Sequence, residues 1–292
     1  MSDKVITSYK GFDNNMQCRG FQYEVGKEYE MDGEIKCCNR GFHACKSPLE
    51  VWDYYDMLNS RYAEVEQSGK IDAEENTTKV CSSRIKIKTE LKLADIINIG
   101  VEWLKDITSP SKVKADCALN DNGDRKKQIG SSGDYAKIGS SGYSAQIGSS
   151  GYYAKIGSSG YSAQIGSSGY SAQIGSSGYS AKIGSSGYSA KIGSSGDYAQ
   201  IGSSGDSAQI GSSGDYAKIG STGEDSVIMC AGNCSRAKAK VGSWITLAEW
   251  KWSDEKNHNV PVCVKTEYVD GENVKADTWY QLKNGKFVEV EK

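Results

Sequence analysis

The sequence has little of several residue types on which common functions depend. Its 292 residues include only three Pro and two His, and 35 Lys plus Arg nearly balance 37 Asp plus Glu. The formal net charge of −2 gives no bulk attraction to nucleic acid or to an anionic membrane, so no strong nucleic-acid signal is present. His43 and His258 alone leave little material for a catalytic triad or a multi-histidine metal site.

Long apolar runs are also missing. No run approaches the roughly 18 residues that a membrane-crossing helix needs, and no charged-then-apolar leader opens the chain. The nine Cys are typical of a reducing compartment, where thiols stay free. We therefore expect a cytoplasmic protein with no membrane partner.

A nine-residue repeat fills the middle of the chain. From Ile129 to Lys218 the unit I-G-S-S-G-(Y/D)-(S/Y)-A-(Q/K) occurs ten times, and a degenerate eleventh copy begins at Ile219. We number the positions of this unit 1 (Ile) to 9 (Gln or Lys). The unit predicts a corner at Gly-Ser-Ser-Gly, whose glycines can take positive φ, and a strand over positions 6 to 9 that runs on to the next Ile. Two units make an 18-residue coil of a parallel two-sheet β-solenoid, with Ala and Ile facing inward.

Aromatic side chains recur at position 6. In an 18-residue coil, repeats of like parity lie above one another, which predicts two tyrosine ladders. One ladder holds Tyr143, Tyr161 and Tyr179, and the other holds Tyr152, Tyr170 and Tyr188. Stacked rings stabilise the coils, and they also offer a regular surface to a partner. The Asp at this position near the ends of the array is interpreted as disfavouring further stacking.

Other solenoid functions find weak support in the repeat. Calcium-binding nonapeptides need an Asp at a fixed position where most units here carry Ser or Tyr. Ice binding needs a flat array of short hydroxyls, whereas the flat faces here carry Lys, Gln and Tyr. Residues 129–218 hold five Lys and four Asp, so the solenoid is neither a polyanionic DNA mimic nor a polycationic groove.

Residues 1–115 read as an α+β domain. Alternation predicts a strand near Phe21 to Val25, a turn at Asp32-Gly33 and a second strand through residues 35–38. A helix is expected from Ser47-Pro48 to about Leu58, then strands at residues 61–67 and 79–89, and an amphipathic helix over residues 91–107. Elsewhere in the chain, capping coils extend the solenoid over residues 116–241.

Few residues in this domain are candidates for catalysis or metal binding. Zinc accepts side chains such as Cys37, Cys38, His43 and Cys45, but no C-x-x-C pair is present, so free thiols beside one polar His are the better interpretation. Glu64 and Glu66 share a strand face, as carboxylate pairs do in ADP-ribosyltransferases, although a charged outer face is the better interpretation, since the Arg or His and Ser/Thr partners of that fold are not recognisable upstream. We predict no catalytic residue, no cofactor and no metal.

Four strings in this domain mark a family. They are Lys10-Gly-Phe-Asp, the stretch C-R-G-F-Q-Y-E-V-G-K-E-Y-E from Cys18, Gly41-Phe-His-Ala-Cys, and Arg61-Tyr-Ala-Glu-Val-Glu. Together they resemble an uncharacterised domain of bacteriophage and prophage proteins, sometimes found ahead of this same repeat array. The resemblance implies a phage product in the host bacterial cytoplasm, where accessory proteins counter defences such as CRISPR systems.

Residues 242–292 read as an antiparallel β-rich cap that carries four of the six Trp. Strands are predicted at residues 244–252, 261–269, 278–282 and 287–290, with turns at Asp270-Gly271 and Asn284-Gly285. Trp250 and Trp252 share a strand face, and aromatic residues dominate interface hot spots. We expect a docking surface there or along the tyrosine ladders.

These observations predict a mainly β protein. An α+β domain precedes the β-solenoid, and a β-rich cap follows it. The leading functional interpretation is a non-catalytic binding protein that inhibits a bacterial host defence complex through protein-protein contacts. A structural virion spacer is the first alternative, and a nucleotide-handling or ADP-ribosylating enzyme is the second. Exposed strand edges leave homo-oligomer formation open.

Overall fold

A computed structural model describes residues 5–73, 77–108 and 128–291. The chain divides into two compact units, Met1–Trp103 and Leu104–Lys292, called here the N-terminal unit and the solenoid unit. The fold is mainly β, with the expected parallel two-sheet β-solenoid, a sheet-containing N-terminal region and C-terminal strands. The described ranges contain no helix with the length and apolar character that a membrane crossing requires.

The N-terminal unit is built on antiparallel strands. They are β1 (Ile6–Phe12), β2 (Gln17–Cys18), β3 (Phe21–Gln22), β4 (Glu28–Glu30), β5 (Phe42–Cys45), β6 (Arg61–Ala73) and β7 (Lys79–Leu91). A 3-10 helix, η1 (Leu49–Asp53), follows β5, and the helix α1 (Leu93–Ile107) begins after β7. The pairings β1–β6, β6–β7, β7–β5 and β5–β1 close a ring, and β4 adds to β7. Inward-facing Val65, Ile85 and Ile87 fill the ring with Phe12 and Tyr23.

Two local predictions in this unit were wrong. The hairpin around Gly33 does not form, because Glu28–Glu30 pairs with residues 84–86 of β7 and leaves only an isolated bridge between Lys36 and Arg40. The helix expected to reach Leu58 ends at Asp53. Beyond it, the Asp56 carboxylate accepts hydrogen bonds from the backbone N–H groups of Leu58 and Asn59, which turns the chain instead.

The solenoid strands are four residues long in every full repeat. They are β8 (Gln128–Ser131), β9 (Lys137–Ser140), β10 (Gln146–Ser149), β11 (Lys155–Ser158), β12 (Gln164–Ser167), β13 (Gln173–Ser176), β14 (Lys182–Ser185), β15 (Lys191–Ser194), β16 (Gln200–Ser203), β17 (Gln209–Ser212), β18 (Lys218–Ser221), β19 (Val227–Cys230) and β20 (Arg236–Lys238). Ile147 pairs with Ile165 and Ile165 with Ile183, so each coil holds 18 residues, as expected. The even-numbered strands β8 to β20 form a nine-stranded sheet with two later strands, β23 (Tyr280–Lys283) and β24 (Lys286–Glu289). The odd-numbered strands β9 to β19 form an eight-stranded sheet with β21 (Trp244–Ser253) and β22 (His258–Tyr268).

The strand lies two to three residues later in the repeat than predicted. It covers position 9 to position 3. In seven of the ten full copies position 7 takes positive φ, as at Ser171 (52°) and Tyr216 (56°), which breaks any strand through positions 6 to 8 there. None of the repeat glycines has positive φ. The glycines of the predicted corner therefore do not adopt the positive φ that is open to them, and in most copies the residue at position 7 adopts it instead.

The glycine at position 5 has a different role. At Gly178 a Cβ atom would collide with the backbone carbonyl oxygen of Gly160, one coil earlier, and the same collision recurs through the array. The glycine at position 2 of the eight-stranded sheet, such as Gly175, has open space around it. Only the first kind is required for the close stacking of coils.

Small side chains fill the solenoid interior. Ile at position 1, Ala at position 8 and Ser at position 3 are buried, as Ile183, Ala181 and Ser185 illustrate with 0% exposure each. The inward Ala and Ile were predicted. In several coils the inward Ser also caps the next corner, as where Ser176 Oγ accepts the Gly178 N–H at 3.3 Å.

Two hairpins end the chain, and each extends one solenoid sheet. Their strands are β21 (Trp244–Ser253), β22 (His258–Tyr268), β23 (Tyr280–Lys283) and β24 (Lys286–Glu289). β21 pairs in parallel with β19, and β23 pairs with β20. The Asn284-Gly285 turn has positive φ at both residues (51° and 68°), which is the hairpin geometry that this dipeptide predicts.

Candidate functional site

Both predicted tyrosine ladders are present in the described coils. Ring centroids lie 5.1 Å apart for Tyr143 and Tyr161 and 5.0 Å apart for Tyr161 and Tyr179. In the other ladder, the distances are 6.0 Å for Tyr152 to Tyr170 and 5.3 Å for Tyr170 to Tyr188. The six rings remain 40% to 56% exposed, so they form two continuous aromatic edges.

The ladders also extend past the predicted residues. Tyr198 and Tyr216, at position 7, continue the first ladder at 5.0 Å per step. The Asp that replaces Tyr at position 6 hydrogen-bonds between coils: the Asp197 carboxylate accepts the Asp215 N–H, and the Asp215 carboxylate accepts the Asn233 N–H. The idea that this Asp merely disfavours stacking was incomplete, since it links successive coils.

The two tryptophans singled out from the sequence differ in their surroundings. Trp250 is partly buried, and its Nε1–H donates to the Ala231 carbonyl at 2.8 Å, which anchors β21 to the last irregular coil. Trp252 is 58% exposed, and its Nε1–H donates to the Asp254 carboxylate at 3.0 Å. Trp252 is thus the more accessible of the two.

The outer faces of the two solenoid sheets differ in exposure. On the nine-stranded sheet, the outward Gln146 and Gln164 are 6% and 3% exposed. On the eight-stranded sheet, the outward residues at positions 9 and 2 are mostly open and form a shallow trough. Its floor is a row of position 2 glycines, and Lys137, Lys155 and Lys191 stand along it.

This trough ends in an exposed apolar patch. We call the patch, formed by Val227, Met229, Trp244, Val264 and Tyr268, the sheet-end patch. Its side chains are between 43% and 64% exposed, and the Trp244 and Tyr268 rings lie 5.0 Å apart. β19 pairs with β21, and β21 with β22, which brings the patch residues onto one sheet face.

The N-terminal unit encloses a pocket of about 520 Å³, within the usual size of a small-molecule site. Residues of β1, the β2–β3 hairpin, the approach to β5, the segment after η1 and the start of β7 line it. Its basic lining residues are Lys10, Arg19, Arg40, His43 and Lys79, and its aromatic ones are Tyr9, Phe21, Tyr23, Phe42, Tyr54 and Tyr55. Of the described residues that line it, none is Asp or Glu.

Lys10 lies within the pocket wall and is only 3% exposed. Its ammonium donates to the His43 carbonyl at 2.9 Å and to Cys18 Sγ at 3.5 Å, and lies 5.6 Å from the centroids of the Phe12 and Tyr23 rings. Burial lowers the pKa of Lys10, and burial together with Lys10 lowers the pKa of His43. Among the described residues no carboxylate pairs with this ammonium.

A cysteine and histidine cluster lies beside the pocket. Ligand atoms of Cys37, His43 and Cys81 lie within 4.8 Å of one another, which supplies three of the four ligands of a zinc site. Two of the three also contact the backbone: His43 Nε2 accepts the Cys38 N–H at 3.0 Å, and Cys81 Sγ donates to the Arg40 carbonyl at 3.1 Å. Burial, with Cys37 next in effect, raises the pKa of Cys81 to about 12, so metal binding would have to displace both protons and contacts.

The four candidate zinc ligands from the sequence, Cys37, Cys38, His43 and Cys45, do not all lie together. Cys37 and His43 lie in this cluster, whereas Cys38 Sγ is 3.0 Å from the Lys79 ammonium. Cys45 is buried elsewhere on β5, and burial raises the pKa of its thiol. Cys81 takes part instead. Pairing of β5 with β7 places it opposite His43, a proximity that a separation of 38 positions in the sequence does not reveal.

Glu64 and Glu66 lie outside the pocket. Glu66 forms an ion pair with Lys88 at 2.7 Å across β6 and β7. Tyr9 stands opposite Glu64 on β1. Because Tyr9 is itself a lining residue, Glu64 shares a sheet face with part of the pocket wall, but neither carboxylate is among the described residues that line the pocket.

Sequence reasoning missed the sheet-end patch and the pocket. A signal for the first was available: Val227 replaces the Lys or Gln of position 9 in the degenerate eleventh copy, and Met229 replaces the Gly of position 2 in the unit that follows. The pocket had no comparable signal, because its residues come from six separate stretches of the chain.

Comparison with known proteins bears on the N-terminal unit. Comparisons with curated proteins and with solved structures found no match. Residues 6–99, which include every residue that lines the pocket, match the family described as a domain of unknown function, DUF7666.

Proposed function

We propose that this protein is a non-catalytic binding protein that docks another protein on the exposed face of its eight-stranded sheet. The sheet-end patch is the observation that carries the proposal. Five large apolar side chains are each at least 43% exposed on one sheet face, and contiguous exposed apolar patches mark interaction sites.

The surroundings of the patch favour a partner with an acidic rim. Lys137, Lys155 and Lys191 stand along the trough that leads to it, and the strands β9 to β19 of this sheet carry no Asp or Glu. An apolar centre with charges at its edge is the usual anatomy of a protein interface.

A second protein is a better occupant than a second copy of this chain. The edge strand beside the patch, β22, contains Pro261 and exposed Lys265, and both disfavour edge-to-edge strand pairing with a second copy there. The resemblance of the N-terminal strings to phage proteins makes a bacterial host defence complex, such as a CRISPR effector, the partner class that we propose.

The test compares two Val→Glu variants of the full chain. Val264→Glu puts a charge into the patch, and Val25→Glu is the control, since Val25 is 47% exposed on the N-terminal unit. Each is expressed in bacteria that carry a CRISPR system, and phage plating is measured. We expect the wild type and Val25→Glu to restore plating and Val264→Glu to lose the effect.

Two outcomes would contradict the proposal. Equal restoration by Val264→Glu and wild type would remove the patch from the interface. Absence of any effect of the wild type across defence-bearing hosts, with the chain recovered as a component of purified virions, would favour the structural spacer. Light scattering of the purified chain reports self-association separately.

A further inference from the structure

We propose that the pocket of the N-terminal unit binds a nucleotide, with the phosphate held by Lys10 and Arg19 and the base against the aromatic wall. This inference concerns a different unit from the docking surface, so its failure would leave the proposed function untouched.

The charge of the pocket lining is basic. The described lining carries Lys10, Arg19, Arg40 and Lys79 and no carboxylate. Basic groups that converge on a cavity whose described lining holds no carboxylate attract an anion, and Lys and Arg form strong charge-assisted hydrogen bonds to phosphate oxygens. A phosphate group is therefore the chemistry that this lining fits.

Lys10 is buried in the pocket wall. An ammonium that is 3% exposed costs folding free energy unless a counter-charge compensates it. Its contacts are a backbone carbonyl, a thiol and ring faces, and burial lowers its pKa. A bound anion would supply the missing counter-charge. Core packing alone does not explain why a Lys occupies this position.

Arg19 lies at the pocket mouth. This residue is exposed, its backbone takes positive φ (51°), and its side chain has no hydrogen-bond or ion-pair partner in the described part of the chain. It follows Cys18, whose Sγ lies near both the Lys10 ammonium and the Tyr55 hydroxyl. The β2–β3 turn thus presents a second cation to the same cavity.

The pocket also has an aromatic wall. Phe21 lies 4.8 Å from Tyr23 and 5.3 Å from Tyr29 between ring centroids, and it is 45% exposed. A large apolar ring held by other rings yet open on one side offers a surface on which a base can stack. Phosphate and an aromatic base together define a nucleotide.

The test is isothermal titration calorimetry of the full chain with AMP, GMP, CMP and UMP. Inorganic phosphate and the matching nucleosides are titrated separately, because they are the two halves of each nucleotide. We expect at least one nucleotide to bind with a micromolar dissociation constant, and each half to bind at least about tenfold more weakly.

Three variants assign the binding to the pocket. Lys10→Met and Arg19→Gln should each weaken the nucleotide at least about tenfold. Lys92→Gln is the matched control for Arg19→Gln, because Lys92 is exposed and outside the lining. Circular dichroism checks folding. If Lys10→Met fails to fold, Arg19→Gln decides, since removing an exposed side chain leaves the core intact.

Three results would overturn the proposal. The first is that none of the four nucleotides binds more tightly than millimolar. The second is that Arg19→Gln binds as well as the Lys92→Gln control. The third is that inorganic phosphate binds as tightly as the nucleotides, which would reduce the site to an anion site without a base.

Discussion

The solenoid unit and the N-terminal unit of this protein use their interiors in different ways. In the solenoid, Ile, Ala and Ser repeat at fixed positions, and successive glycine backbones stack so closely that a Cβ atom has no room. In the N-terminal unit, rings and a buried Lys surround a pocket of about 520 Å³. A thin repeating core therefore leaves only its surface for binding, whereas a unit without repeats can enclose a ligand.

The strongest test of this difference is a methyl group added to the stacked backbone. Gly178→Ala should lower the free energy of unfolding by at least about 3 kcal/mol, because the new Cβ would overlap the carbonyl oxygen of Gly160. Gly175→Ala, with open space at its Cβ, should change it by less than about 0.5 kcal/mol. Urea unfolding followed by circular dichroism measures both. Equal effects would mean that the coils are not stacked as described.

A smaller effect is expected from the tyrosine ladders. Tyr161 contacts a ring on each side, so Tyr161→Ala should cost about 1 to 2 kcal/mol of unfolding free energy. Tyr135→Ala should lower the unfolding free energy about half as much, because the stacking partner of Tyr135 among the described rings is Tyr153. The same unfolding measurement distinguishes these values. No loss in either variant would leave the ladders free to serve binding alone.

The repeat explains why so much of the solenoid was predictable. A nine-residue period, with Ile and Ala at fixed positions, determines the 18-residue coil and the ladders. The strand position was missed because most copies take positive φ at position 7, a conformation that the local propensities of Ser and Tyr do not indicate. In the N-terminal unit, Cys81 meets His43 through strand pairing, and Lys10 is buried by distant rings. Such long-range contacts have no periodic signal.

A substitution at Lys10 is expected to stabilise the protein, unlike the variants above. Because its ammonium is buried without a carboxylate partner, Lys10→Met should raise the free energy of unfolding by about 1 kcal/mol at neutral pH. The folded-state pKa of Lys10 lies below its ordinary value of 10.5, so the unfolded chain binds more protons between those two values. Wild-type stability therefore rises with pH in that window, and the advantage of the variant should shrink. Urea unfolding at several pH values measures this. A difference in unfolding free energy between Lys10→Met and wild type that grows with pH would contradict the burial of this charge.

The smallest effect belongs to a turn of the solenoid unit. Asp270 accepts hydrogen bonds from the Asn273 side chain and from three backbone N–H groups, which lower its pKa to about 2 from 3.8. Its contribution is therefore complete above the ordinary value and is lost as the pH falls through about 2. The difference in melting temperature between wild type and Asp270→Asn should shrink between pH 5 and pH 2, as measured by calorimetry. A constant difference would mean that the carboxylate charge has no part in the turn.

The central claim is that the two units carry separate binding functions, and one paired measurement addresses it most directly. Nucleotide affinity and restoration of phage plating are measured for Arg19→Gln and Val264→Glu in the full chain. The account predicts that Val264→Glu keeps the wild-type nucleotide affinity and loses the plating effect, whereas Arg19→Gln loses at least about tenfold in affinity. If Val264→Glu weakens nucleotide binding as much as Arg19→Gln does, the division of functions between the two units is wrong.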